Sequence, residues 1–123
     1  MHRSMIQVFV KRSDEAVEFY QKAFDAKLLC NYTDSNGLVM HTELDIYGQI
    51  LAVSELSEED SITGNTMMFC LHFGEGKEEL VRKIYNVLKD DAKSISSPLE
   101  PCEYSPLQAV LIDKFGVWWC IFV

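Results

Sequence analysis

A chain of 123 residues with 19 acidic against 11 basic side chains carries a formal charge of −8, and its mean field repels phosphate backbones and anionic lipid headgroups. No nucleic-acid partner and no membrane partner are expected, since no run approaches the roughly eighteen apolar residues that span a bilayer. The hydrophobic share of 48% with 24% charged residues argues against disorder and fits one domain of ordinary size.

In chain order, MHRSMIQVFVKR has too short an apolar stretch for a signal-peptide core, so a cytoplasmic protein is expected. Within it Met5 to Val10 (MIQVFV) is rich in strand formers and ends at a charged turn. The segment SDEAVEFYQKAFDAK then predicts a helix. Ser13 or Asp14 can accept first-turn amide hydrogens, and Ala16, Val17, Tyr20, Ala23 and Phe24 recur at helical spacing. Three strand-like runs follow: Leu28 to Thr33, Leu38 to Ile46 and Ile50 to Glu55. They are separated by Asp34-Ser35-Asn36-Gly37 and Tyr47-Gly48, turn chemistry that predicts an antiparallel meander. Leu56 to Asn65 has no periodicity and reads as a solvated linker. Its Glu58-Glu59-Asp60 lacks the glycine and spacing of a calcium loop.

The order then begins again. Thr66 to Phe73 predicts a strand, and Glu75 to Lys93 a helix with Leu80, Val81, Ile84, Val87 and Leu88 on one face. Beyond it, Pro98, Pro101 and Pro106 interrupt the chain, leaving strand-like pieces at Ser94 to Ser97, Leu107 to Ile112 and Val117 to Val123. A strand-helix-strand-strand-strand order used twice predicts an α+β fold of two βαβββ modules, whose curved mixed sheets enclose a cleft. Module one covers about 5–55, the linker 56–65 and module two about 66–123. Cys30, Cys70, Cys102 and Cys120 form no C-x-x-C pair, so free thiols are expected rather than a zinc knuckle or a disulfide framework.

Three stretches carry a family resemblance: EAVEFYQKAFDAKL at Glu15 to Leu28, VMHTELDIYGQILAVSE at Val39 to Glu55, and DKFGVWW at Asp113 to Trp119. Together, in this order, they resemble the vicinal oxygen chelate superfamily, which includes glyoxalases, ring-cleaving dioxygenases and bleomycin- or fosfomycin-resistance proteins, and within it the PhnB-like branch. The resemblance implies paired βαβββ modules, a small-molecule site and a homodimer. In metal-dependent members of that superfamily, His, Gln or Glu residues on the first and last strands of the modules hold a divalent cation as a Lewis acid. Matched by motif, those positions fall near Met5, at Met68, at Cys120, and at either Ser54 or Glu55. Two thioethers and a thiol suit magnesium or manganese poorly, so no metal is expected at this site and no cofactor is implied, a divalent metal being the minority reading.

Strand alternation assigns Ile6, Val8 and Val10 to a helix-packed face and leaves Met5, Gln7 and Phe9 toward the cleft. In the second module, Phe69, Leu71 and Phe73 pack on the helix, while Met68, Cys70 and His72 face the cleft. Val117, Trp119, Ile121 and Val123 likewise oppose Trp118, Cys120 and Phe122. His41 and Glu43 stand two apart on one strand, hence on one face, with Met40, Thr42, Leu44 and Ile46 on the other. The expected lining is therefore Met5, Gln7, Phe9, His41, Glu43, Met68, Cys70, His72, Trp118 and Cys120, mostly apolar with a polar group that includes a His beside a carboxylate. That pair could serve general-base chemistry, but lining a pocket or standing on a solvated sheet face accounts for it better.

These features point to a small-molecule-binding protein with a degenerate metal site, taking a hydrophobic or mixed-polarity ligand. The competing readings are a metal-dependent lyase, isomerase or dioxygenase using a shifted site around His41, Glu43 and His72, and an interaction module without a small ligand. No glycine-rich nucleotide-binding turn follows a strand, which weighs against methyl transfer.

Overall fold

The structure, a computed structural model, describes residues 1–57, 62 and 64–123. The chain divides into two compact units, Met1–Ser61 and Ile62–Val123. The first contains β1 (Ile6–Val10), α1 (Ser13–Phe24), β2 (Lys27–Thr33), β3 (Val39–Ile46) and β4 (Gln49–Glu55). The second contains β5 (Phe69–His72), α2 (Glu78–Leu88), β6 (Ser94–Cys102), β7 (Ser105–Ile112) and β8 (Trp118–Phe122). The α+β architecture expected from the repeated element order is the one observed. Each unit holds one four-stranded mixed sheet, ordered β1-β4-β3-β2 in the first and β5-β8-β7-β6 in the second. The helix carries the chain across the sheet, so β1 pairs parallel to β4 and β5 parallel to β8, while the meander strands pair antiparallel.

Packing follows the alternation read from the sequence. Val8 and Val10 of β1, Leu44 and Ile46 of β3, and Leu51 and Val53 of β4 are buried, as are Ala16, Tyr20, Ala23 and Phe24 of α1. In the second unit Ala109, Leu111, Trp119 and Ile121 are buried, as are Val81, Ile84 and Leu88 of α2. Each large apolar side chain removed from water contributes roughly 1.5–3 kcal/mol, so these layers dominate the stability of each unit.

Several local expectations are corrected. Helix α1 is not capped by its own Ser13 or Asp14: the flanking Arg12 makes no side-chain cap bond, and the Ser13 amide is taken by Glu55 Oε1 at 3.0 Å, from the end of β4. Helix α2 is shorter than the apolar periodicity suggested, because Gly74 and Gly76 adopt positive φ before it and Asp91 does after it. Strand β6 runs through both Pro98 and Pro101. As the edge of its sheet it needs no second set of ladder donors, and its register shifts absorb the missing N–H groups. Met40, expected beside Thr42 and Leu44, is 64% exposed. The register passes from Tyr32 opposite His41 to Thr33 opposite Val39, so Met40 is an extra residue bulged outward. Glu58-Glu59-Asp60 of the expected linker lies outside the described residues. Among the described residues, no helix is long and apolar enough to cross a membrane.

Candidate functional site

The face of the first sheet away from α1 is organised by register. Gln7 of β1 stands opposite Ala52 of β4, Ala52 opposite Glu43 of β3, and Glu43 opposite Cys30 of β2. One row further along, Phe9 stands opposite Ser54, and His41 opposite Tyr32. Gln7 Nε2 donates to Ser54 Oγ at 3.1 Å, which ties the two rows together.

Cys30 reaches this face through a second bulge. Leu28 pairs with Leu44 and Cys30 with Glu43, so Leu29 is an inserted residue. In an unbroken strand Cys30 would share a face with Leu28. The extra residue reverses it.

Glu43 is only 6% exposed yet anionic. Arg3, which lies before β1, forms a two-pronged pair with it: Nη1 to Oε2 at 2.7 Å and Nη2 to Oε1 at 2.9 Å. His41 Nε2 donates to Oε1 at 3.0 Å. The hydrogen bonds from Arg3 first and His41 second hold the Glu43 carboxyl down to about 2, outweighing the opposing effect of burial. Because the folded-state value lies below the ordinary one of 4.5, Glu43 favours the folded state above that ordinary value and loses this contribution as pH falls toward 2. The stability of the wild-type protein should therefore fall more steeply between these limits than that of Glu43→Gln. Parallel urea titrations at stepped acidic pH check this, and equal slopes would refute it.

The second unit presents a different face. Cys70 stands opposite Cys120, and Cys120 opposite Val110. His72 stacks on Phe122 with ring centroids 4.6 Å apart, and Tyr104 meets Phe122 edge-on at 5.4 Å. The Tyr104 hydroxyl donates to Gln108 Oε1 at 3.1 Å and lies 3.9 Å from Cys120 Sγ, while Gln108 Nε2 donates to Ser97 Oγ. The contact with Cys120 is the leading cause that pushes the Tyr104 phenol up to about 12. Burial pushes the Cys120 thiol up.

Of the residues expected from the sequence, Met5, Gln7, Phe9, His41 and Glu43 lie in the first unit, with His41 and Glu43 in direct contact. Met68, Cys70, His72, Trp118 and Cys120 lie in the second, with Cys70 beside Cys120. Sequence reasoning missed Arg3, Cys30 and Tyr104. Arg3 precedes the first element and carries no periodicity; Cys30 is re-aimed by a bulge; Tyr104 sits in the turn between β6 and β7. The single-residue offset at Leu29 leaves no mark in an apolar run such as LLC.

A model of the Glyoxalase/Bleomycin resistance protein/Dioxygenase superfamily matches residues 3–121. The chain belongs to that superfamily. Solved structures of similar fold include a putative 3-demethylubiquinone-9 3-methyltransferase, PhnB protein, from Bacillus cereus, at 21% identity and a TM-score of 0.80, covering 98% of both chains. TioX from Micromonospora sp. ML1 is 22% identical with a TM-score of 0.62 and 97% of each chain covered. The fosfomycin resistance protein FosX from Listeria monocytogenes, solved with Mn(II) and sulfate, is 16% identical with a TM-score of 0.67, covering 98% of this chain and 88% of its own. No curated protein matches the chain at a significant level.

A metal is thus implied by part of the superfamily, and the donors can be tested against it. Of the two alternatives on β4, Ser54 lies on the face away from α1 with its hydroxyl bonded by Gln7, whereas Glu55 is turned to Ser13 at the start of α1. The positions matched by resemblance then hold the thioethers of Met5 and Met68, the hydroxyl of Ser54 and the Cys120 thiol, whose pKa burial pushes up. Manganese and magnesium take oxygen donors and, for manganese, imidazole. This set does not fit them.

Proposed function

We propose that the protein binds a small organic molecule of mixed polarity on the face of the first sheet away from α1, without the metal positions of its metal-dependent relatives. One observation carries this reading: a buried, ionised Glu43 bracketed by Arg3 and His41 is flanked on the same face by two largely exposed rings, Phe9 at 60% and Tyr32 at 63%. Exposed aromatic rings supply contact area at small entropic cost. The polar centre fixes orientation through groups that are already bonded and need no rearrangement. Met5 and Gln7 border this face. Met68, Cys70, His72, Trp118 and Cys120 border a face of the second sheet on which His72 stacks on Phe122.

A thermal-shift screen of hydrophobic cationic and quinone-like compounds tests the reading. A ligand at one hundred times its Kd adds about 2.7 kcal/mol to the native state, which raises the melting temperature by several degrees. The shift should shrink in Phe9→Ala and Tyr32→Ala, neither of which disturbs the core. A broad library without a stabiliser, or hits indifferent to both substitutions, would overturn it.

A further inference from the structure

We propose that Cys30, His41 and Glu43 form a site for a borderline divalent transition ion, zinc above all, and that Arg3 is the resident cation this ion displaces. The proposal does not rest on the organic-ligand reading, although it uses the same sheet face. Its three donors come from two adjacent strands and lie at positions other than those matched to the superfamily's ligands.

Geometry supports it first. One ligand atom from each of the three residues lies within 4.8 Å of the others. A tetrahedral zinc ion with bonds of about 2.0–2.3 Å spaces its ligands by roughly 3.3–3.8 Å, so small rotations of the side chains suffice. The backbone needs no change, because the Leu29 bulge already sets Cys30 opposite Glu43, and strand alternation sets His41 on the same face.

Donor chemistry selects the ion. A thiolate, an imidazole and a carboxylate make a mixed sulfur, nitrogen and oxygen set that suits zinc and excludes magnesium and calcium. Three protein ligands leave a fourth position open, the pattern of sites that hold water or a substrate oxygen. Binding exchanges charges in balance: the Cys30 thiol releases its proton to solvent, the proton on the coordinating imidazole nitrogen moves to the ring's other nitrogen or leaves, and the Arg3 guanidinium withdraws from Glu43.

Arg3 makes the exchange practicable. It belongs to no helix or strand, its side chain is half-exposed, and its two bonds to Glu43 are the only ones drawn from it among the described contacts. Arg3 is accordingly a competitor for the site rather than part of it.

The test uses the full chain after a chelator wash, titrated calorimetrically with zinc chloride and spectroscopically with cobalt(II), which absorbs in the near ultraviolet when bound to a thiolate. One equivalent should bind, with the thiolate band present. Cys30→Ser should abolish the band, and Cys30→Ser and His41→Ala should each weaken zinc by roughly 100-fold. Arg3→Ala should tighten zinc by about tenfold, because a competitor has gone. That gain separates a built site from loss of fold, since a damaged protein does not bind more tightly. Absence of saturable binding, a band that persists in Cys30→Ser, or weaker binding in Arg3→Ala would each overturn the proposal.

Discussion

Asp113→Ala is expected to destabilise the second unit by about 3 kcal/mol, a large share of the 5–15 kcal/mol that holds a typical domain together. Asp113 is fully buried in the turn between β7 and β8. Its Oδ1 accepts the amides of Phe115 at 2.9 Å and Val117 at 3.0 Å, and its Oδ2 accepts the indole N–H of the fully buried Trp119 at 2.9 Å. Removing the carboxylate strands buried donors, each costing about 1–3 kcal/mol when no water can replace the acceptor.

The first unit contains an internal control. Asp34 builds a matching turn, its Oδ1 accepting from Asn36 and Leu38, with Gly37 at φ 80° where Gly116 has 90°. There the residues are exposed and water can substitute, so Asp34→Ala should cost no more than about 1 kcal/mol. Both tryptophans, Trp118 and Trp119, lie in the second unit, so the fluorescence-detected urea midpoint reports on it directly. A shift for Asp113→Ala no larger than for Asp34→Ala would refute the account.

Ser13→Ala should destabilise the first unit by about 2 kcal/mol, although it removes a single oxygen atom. Ser13 is fully buried where three elements meet. Its hydroxyl donates to Glu55 Oε1 at 3.0 Å and accepts the Val39 amide at 2.9 Å, joining the start of α1 to the end of β4 and the start of β3. Alanine leaves the Val39 N–H buried without a partner, and Glu55 keeps only the Ser13 amide. Amide hydrogen exchange gives a local readout. Val39 should lose protection by at least tenfold relative to Leu44 in the middle of the same strand, and an unchanged ratio would contradict the assignment.

Much of the fold was legible because it rests on local periodicity. Alternation in MIQVFV placed Val8 and Val10 in the core and Phe9 outside it, and alternation in VWWCIFV placed Trp119 and Ile121 inside. DKFG falls between the strand-like pieces Leu107 to Ile112 and Val117 to Val123, and an aspartate three residues before a glycine favours the turn that Asp113 closes there. Helix ends were less legible. The Ser13 cap failed because its hydroxyl donates to Glu55 of β4 and accepts the Val39 amide of β3 instead of a first-turn N–H.

The sequence by itself determined two strand-helix-three-strand units, the core faces of their strands, and His41 and Glu43 as neighbours two residues apart. Only the tertiary structure decided what Glu43 meets. Arg3 arrives from outside any periodic segment, and Cys30 arrives because β2 pairs with β3 one residue out of step at Leu29. The physical reason is that alternation along a strand is a property of that strand alone, whereas a bulge is a property of the pairing between two. One inserted residue reverses every side chain beyond it, and here it carries a thiol to a histidine and a carboxylate that the linear pattern had kept apart from it.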